Sequence, residues 1–348
     1  MHLADYRPRS RLRVPISSIE QPRFGVVDAH NHLGPEFSRG WGARPVGEVL
    51  AAMDEAGVEI VVDLDGGQGA LLEEHLHRYQ RPYPDRFLVF AGLAYEEWAS
   101  HPSFGAMEAR RLEQAVDRGA RGLKVWKTLG LVARDEAGDR VPVDDARLDP
   151  LWETAARLGV PVLIHVADPI AFFDPLDERN ERWEELSAHP DWHFWPPGDD
   201  GADGYPTFDR LLAELDRLLG RHPSTRFIGA HVGCAPEDLA LVSALLDRHD
   251  NFDVDMAARM AELGRQPYTA RDFFLRYSDR ILFGTDEGFD PAMYRVHYRF
   301  LETMDESFDY SILDVPPQGR WQIFGLGLPD DVLRKVYRMN ARRRLLID

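Results

Sequence analysis

The 348-residue chain holds a single cysteine, Cys234, so an internal disulfide framework is excluded and a reducing compartment suits the composition. Basic residues are scarce as well: 41 Lys and Arg stand against 59 Asp and Glu, a formal net charge of -18. Nucleic acid and anionic membrane surfaces require clustered positive charge, so neither is expected as a partner, and a small-molecule substrate is. No apolar run is long enough for a membrane span or a signal peptide, and the expected location is the cytoplasm. Linkers of low complexity are also missing, which predicts one domain over residues 24–348 behind an N-terminal arm of residues 1–23.

What the chain does contain is an alternation of short apolar runs with longer amphipathic ones, sustained to the C-terminus. Strands are predicted at 24–32, 58–64, 86–94, 120–127, 160–167, 226–232, 251–256 and 280–286. Helices are predicted between them, for example Val46 to Ala56, Met107 to Arg118, Pro150 to Leu158, Phe208 to Arg221 and Pro236 to His249. Parallel strands need helical crossovers, and a large parallel sheet hides both faces, so this α/β pattern predicts a (β/α)8 barrel of the triosephosphate isomerase type. Two regions break the spacing. Residues 168–206 follow the fifth strand and carry Phe172, Phe173, Trp183, Trp192, Phe194 and Trp195, which reads as a lid or pocket wall, with a satellite cluster on the outside of the barrel as the alternative. Residues 307–328 precede a closing helix from Pro329, and this C-terminal extension (307–348) either covers the barrel or makes a subunit contact, as in a homodimer.

The stretch VVDAHNHLG, residues 26–34, runs from an apolar strand straight into two histidines. Strand alternation puts Asp28, His30 and His32 on one face and Val27, Ala29 and Asn31 on the other. His165 closes VLIH, His231 closes FIGAH, Asp286 closes LFGTD, and Lys124 lies on the fourth strand. Each is weak alone, since a histidine at a strand end is commonly a hydrogen-bonded structural residue. In a barrel, however, all strand C-termini face one mouth, so these residues are expected to meet. Imidazoles with one carboxylate suit Zn²⁺ and neighbouring divalent ions, Mn²⁺ among them, and predict a catalytic metal that activates water. Asp286 is suited both to touch the metal and to relay a proton, His231 to polarise or protonate the substrate, and Asp28 to hold the end of the first strand or orient an imidazole.

HNH preceded by VVDA, together with IHVADP, GAHVG, FGTDE and the terminal YRMNARRRLL, resembles the amidohydrolase superfamily, in the branch that includes aminocarboxymuconate semialdehyde decarboxylase. The resemblance covers almost everything from about residue 24 onward. It implies a distorted (β/α)8 barrel with His30, His32, His165 and Asp286 as ligands of one metal, and His231 as the second catalytic group. In binuclear relatives that histidine binds a second metal, bridged by a carboxylated lysine from the fourth strand, here Lys124. Lys124 is otherwise a cation for a substrate carboxylate or a structural residue, and the substrate-binding reading is preferred because many members of the branch use one metal. Lys127, an odd number of residues away, is expected on the opposite face of that strand.

Arg259 follows the seventh strand and suits bidentate capture of a carboxylate, with a helix-start salt bridge as its alternative. Trp126 shares the face of Lys124 and either lines the pocket or packs in the core. Cys234 has no partner base and is read as structural. The leading expectation is a metal-dependent hydrolase acting on an amide, lactone or ester of a small carboxylated molecule. A lyase using the same site for non-oxidative decarboxylation or hydration is the second, and a non-catalytic binding barrel the third.

Overall fold

A computed structural model of the chain describes residues 5–6, 11–198 and 204–346; parts of the arm, the 168–206 insertion and the C-terminal extension lie outside the described residues. Among the described residues eight parallel strands alternate with helices: β1 Val26–Asn31, β2 Val58–Asp63, β3 Phe87–Val89, β4 Leu123–Val125, β5 Val162–Ile164, β6 Phe227–Gly229, β7 Phe252–Asp255 and β8 Ile281–Leu282. The ladders run β1-β2-β3 and β4-β5-β6-β7-β8. Backbone hydrogen bonds span both seams: Lys124 N to Ala91 O at 2.7 Å joins β3 to β4, and Ala29 N to Phe283 O at 2.9 Å joins β8 to β1. This is the parallel α/β barrel expected from the sequence, distorted at those two seams.

The strands are shorter than predicted because only their central residues pair. The apolar runs beyond them continue into the loops, so His165 and His231 stand just past β5 and β6 rather than inside them. Helices Val46–Ala56 and Phe208–Arg221 have the predicted bounds, and the apolar stripe of each is buried in the main hydrophobic core. Inside the barrel Val27, Ala29, Ile60, Val62, Leu88, Phe90, Leu163, Ile228 and Leu282 form one buried cluster, to which the terminal helix adds Ala341 and Leu345.

The alternation expected for β1 fails at its end. Three residue steps along β1, from Asp28 to Asn31, span two along β2, from Val61 to Asp63, which is a β-bulge. The extra residue reverses the parity beyond it. Asp28 therefore sits with Asn31, whose Nδ2 donates to it at 2.8 Å, while His30 and His32 turn away from both. Asp28 also accepts from Thr285 Oγ1 and Tyr294 OH, each at 2.7 Å, and so pins the end of β1 to the loop after β8.

The aromatic insertion is anchored in the protein's interior. Phe172, Phe173 and Phe194 are buried, with Phe173 against Phe194 and Phe208 at 5.2 and 5.7 Å, and all four belong to the main hydrophobic core rather than to a separate cluster. Its edge nevertheless reaches the mouth, where Lys127 lies against Trp192 and Phe194. The 307–328 segment covers the loop after β7: Gln318 Nε2 donates to Ala258 O at 2.8 Å and Phe324 N to Gly264 O at 3.0 Å.

Candidate metal centre

His30 and His32 leave β1 past the bulge, and the chain around them is shaped for close approach. A Cβ on Gly284 would lie 2.8 Å from that of His30, so only glycine lets the end of β8 run against this strand. His231 takes φ 57 and ψ 48, and Val232 follows at φ 59 and ψ 43, a left-handed turn costing roughly 1–2 kcal/mol per residue. Hydrogen bonds hold it there: the backbone N–H of His231 donates to Asp255 Oδ1 at 2.9 Å, and Cys234 N to Ala230 O at 2.9 Å. Asp286 is left-handed too, at φ 58, with its N–H on His30 O at 2.9 Å. Strain of this kind concentrates at functional sites.

The imidazoles share one arrangement, in which one ring nitrogen is tied to an oxygen. His30 Nδ1 donates to Asp255 Oδ2 at 2.9 Å, His32 Nδ1 to Asp65 Oδ1 at 2.7 Å, and His231 Nδ1 to Ala257 O at 2.8 Å. His165 is tied at the opposite nitrogen, Nε2 lying 3.3 Å from Asp168 Oδ1. The acceptors place a hydrogen on those nitrogens, leaving a lone pair on Nε2 of His30 and His231 and on Nδ1 of His165, while Nε2 of His32 faces the Asp286 carboxylate. The ligating atoms of His30, His32 and Asp286 lie within 4.8 Å of one another, with His32 Nε2 at 3.1 Å from Asp286 Oδ1. His231 Nε2 is 3.9 Å from Asp286 Oδ2, and the ring of His165 is 4.5 Å from that of His231. Asp255 also approaches His30 and His231, but both its oxygens are engaged as acceptors, one by the His30 ring and one by the backbone of His231 and Ala257, which makes it a holder of the site.

Charge follows from this geometry. Burial drives His30 and His231 well below the usual imidazole range, and His165 to about 4, so these rings are neutral and able to donate lone pairs. For His32 burial is overcome by the carboxylates of Asp286 and Asp65, which lift it to about 9. Burial opposes ionisation of Asp286, yet His30 and His32 hold its carboxyl well below the ordinary range.

Lys124 is fully buried, its Nζ 3.4 Å from His30 Nε2 and 4.8 Å from the centroid of Trp126, and burial lowers it to about 8. Trp126 in turn stacks on His32 and Phe37 at 5.3 and 5.2 Å, an aromatic wall rather than a core position. Arg259 is buried, donates Nη1 to Ala258 O at 2.9 Å, keeps Nη2 at 3.9 Å from Asp168, and has no partner for Nε among the described residues. Lys127 corrects the parity argument: β4 ends at Val125, the chain turns helical at Lys127, and the side chain comes back to the mouth to pair with Asp168. Asp255, Asp65, Asp168 and Phe37 were missed from sequence. Asp255 alone carried a usable signal, since it ends β7 as His165 follows β5.

A family model described as Amidohydrolase matches residues 27–346. A search of curated proteins found no match. Among solved structures, the chain is similar to 2,6-dihydroxybenzoate decarboxylase from Rhizobium (20% identity, TM-score 0.57, covering 93% of this chain and 99% of that one). It is also similar to a dihydroxybenzoic acid decarboxylase from a Polaromonas species with bound manganese and the inhibitor 2-nitroresorcinol (17%, 0.58, 93% and 97%). A third is 4-oxalomesaconate hydratase from Rhodopseudomonas palustris (15%, 0.52, 92% and 96%). At these identities the likeness to the solved structures is one of fold. The family match spans nearly the whole chain, and the protein belongs to the amidohydrolase family.

Proposed function

We propose that the protein is a metal-dependent lyase that removes a carboxyl group, without oxidation, from a small aromatic acid. The observation carrying this reading is the shared arrangement of His30, His32, His165 and His231, each anchored through one nitrogen, the first two and His231 close to Asp286 and His165 against the ring of His231, beside a buried ammonium over Trp126. Anchored imidazoles with a carboxylate fit a divalent ion such as zinc or manganese, since an oxygen partner on the far nitrogen is the usual support of a ligating histidine. His30, His32, His165 and Asp286 would hold one ion per chain. When bound, the ion supplies Lewis acidity to substrate oxygens. Lys124 is read as a substrate-binding cation rather than a carboxylated bridge to a second ion, because its ammonium lies over the Trp126 ring and, although burial lowers it to about 8, Asp286 and Asp255 offset part of that loss.

The chain's own residues do the rest. Trp126, with Phe37 and His32, offers a flat wall for a ring, and Arg259 and Lys124 offer donors for a carboxylate. Asp286 begins ionised and therefore first takes a proton, from an acidic group of the substrate or from water. It then delivers that proton to the ring carbon as the bond to the carboxylate breaks. Carbon dioxide leaves, the electron pair stays on carbon, and the new C–H bond forms with it. His231, with Nε2 3.9 Å from Asp286, is placed to relay the proton. The solved decarboxylases of the same fold support this assignment over the hydrolytic one.

Hydrolysis of an amide, lactone or ester is the second reading, favoured by the ionised Asp286, which suits acceptance of a proton from attacking water. Protein loaded with Mn²⁺ or Zn²⁺ and offered a panel of hydroxybenzoates should release carbon dioxide in step with substrate loss. Cleavage of an amide or lactone panel with no carbon dioxide from any acid would replace decarboxylation with hydrolysis.

A further inference from the structure

We infer that Lys127 and Asp168 form a link through which the aromatic lid fixes the orientation of His165, an inference that rests on the metal-centre reading above. The link starts in the sequence: Asp168 comes three residues after His165, and the turn that ends β4 swings Lys127 towards it. Asp168 is buried and points its two oxygens at different partners. Oδ1 lies 3.3 Å from His165 Nε2, and Oδ2 takes the ammonium of Lys127. Arg259 at 3.9 Å is too far to hydrogen-bond, so Lys127 is the cation that sets this carboxylate.

The other side of Lys127 is the lid. Its ammonium lies 5.7 Å from the ring centroid of Trp192 and 5.5 Å from that of Phe194, both within cation–π range. Those rings are set by the lid's own packing: Trp192 stacks on His189 at 4.1 Å, and Phe194 N donates to Phe172 O at 2.8 Å. The position of the lid thereby decides where the ammonium sits, the ammonium decides where Asp168 sits, and Asp168 holds the nitrogen of His165 opposite the one left for a metal. An ordinary exposed ion pair has no such reach; here the carboxylate is 7% exposed and shared with an imidazole. Lys127 and Asp168 are thus positioning residues. Energetic coupling of this sort is reciprocal, so a metal at His165 should in turn steady the lid.

The test measures Mn²⁺ affinity by competition with a chromophoric chelator, together with amide hydrogen exchange over residues 170–194, on the full chain. Lys127→Met should weaken Mn²⁺ binding roughly ten- to a hundred-fold, the range of such outer partners, and Lys127→Arg should restore most of it. In the wild-type chain Mn²⁺ should slow exchange in the lid, and in Asp168→Asn that slowing should be lost. If Lys127→Met does not fold, Trp192→Leu probes the same link from the lid side and should weaken Mn²⁺ binding several-fold. Variants that bind Mn²⁺ as the wild type does, or a lid indifferent to the metal, would overturn the link and leave the metal centre standing. A wild-type chain that binds no metal overturns the functional reading itself.

Discussion

Asp255 holds His30: its Oδ2 lies 2.9 Å from the ring Nδ1, and both residues are almost completely buried. The other oxygen accepts the backbone N–H groups of His231 and Ala257 at 2.9 and 3.0 Å, so one carboxylate from β7 fixes an imidazole of β1 and the strained turn after β6. Asp255→Ala should weaken metal binding by roughly ten- to a hundred-fold. It should also cost stability on the order of 1–3 kcal/mol, because buried donors lose their acceptor. Metal titration and thermal unfolding of the variant check both; unchanged metal affinity would reduce Asp255 to a structural residue.

Asp286 is the group placed to move the proton. Asp286→Asn keeps its shape and one oxygen but cannot accept or deliver a proton, so turnover should fall by about two to four orders of magnitude in protein that still carries metal. Elemental analysis alongside the rate assay separates loss of chemistry from loss of the ion. Full activity at full metal content would contradict the assigned role.

Arg259 keeps its guanidinium largely uncommitted behind the mouth. Lysine cannot reproduce two parallel N–H donors, so Arg259→Lys should raise KM for a carboxylated substrate about tenfold or more and leave kcat less affected. Steady-state kinetics on the active acid measures this. Equal KM for both proteins would mean that Arg259 serves only Ala258 and Asp168.

The parts of this site legible in the sequence were those carried by a strand and a residue type together. Imidazoles after three apolar strands and an aspartate after a fourth implied convergence, because a parallel barrel sends all those ends to one mouth. The partners that orient them were illegible for physical reasons. Asp65 and Asp168 lie in loops, where no periodicity fixes direction, and the bulge in β1 moved Asp28 to the face of Asn31. Left-handed backbone at His231 and Asp286 has no signature in residues that rarely adopt it, so the aim of these side chains could not be foreseen.

Glu237 gives the fold a pH dependence. Its Oε2 is enclosed without a hydrogen-bond partner among the described residues, and burial, with the charge of Glu262, pushes the carboxyl up from 4.5 to about 7. Between those values the folded chain keeps a proton that the unfolded chain gives up, so this group's contribution to stability falls as pH rises through the window. Glu237→Gln removes the penalty, and above pH 7 the variant should be more stable than the wild type by on the order of 1 kcal/mol, with the two converging near pH 4.5. Unfolding curves at both ends of the range test it; a wild-type advantage above pH 7 would reverse the sign.

The chemistry proposed for this site rests on imidazoles from separate strands gathering on one ion. X-ray absorption spectroscopy of protein titrated with Zn²⁺ or Mn²⁺ reads that directly. One ion per chain is expected, with three imidazole nitrogens and a carboxylate oxygen in its coordination sphere. Spectra without imidazole scattering, or titrations that never reach stoichiometric binding, would contradict it.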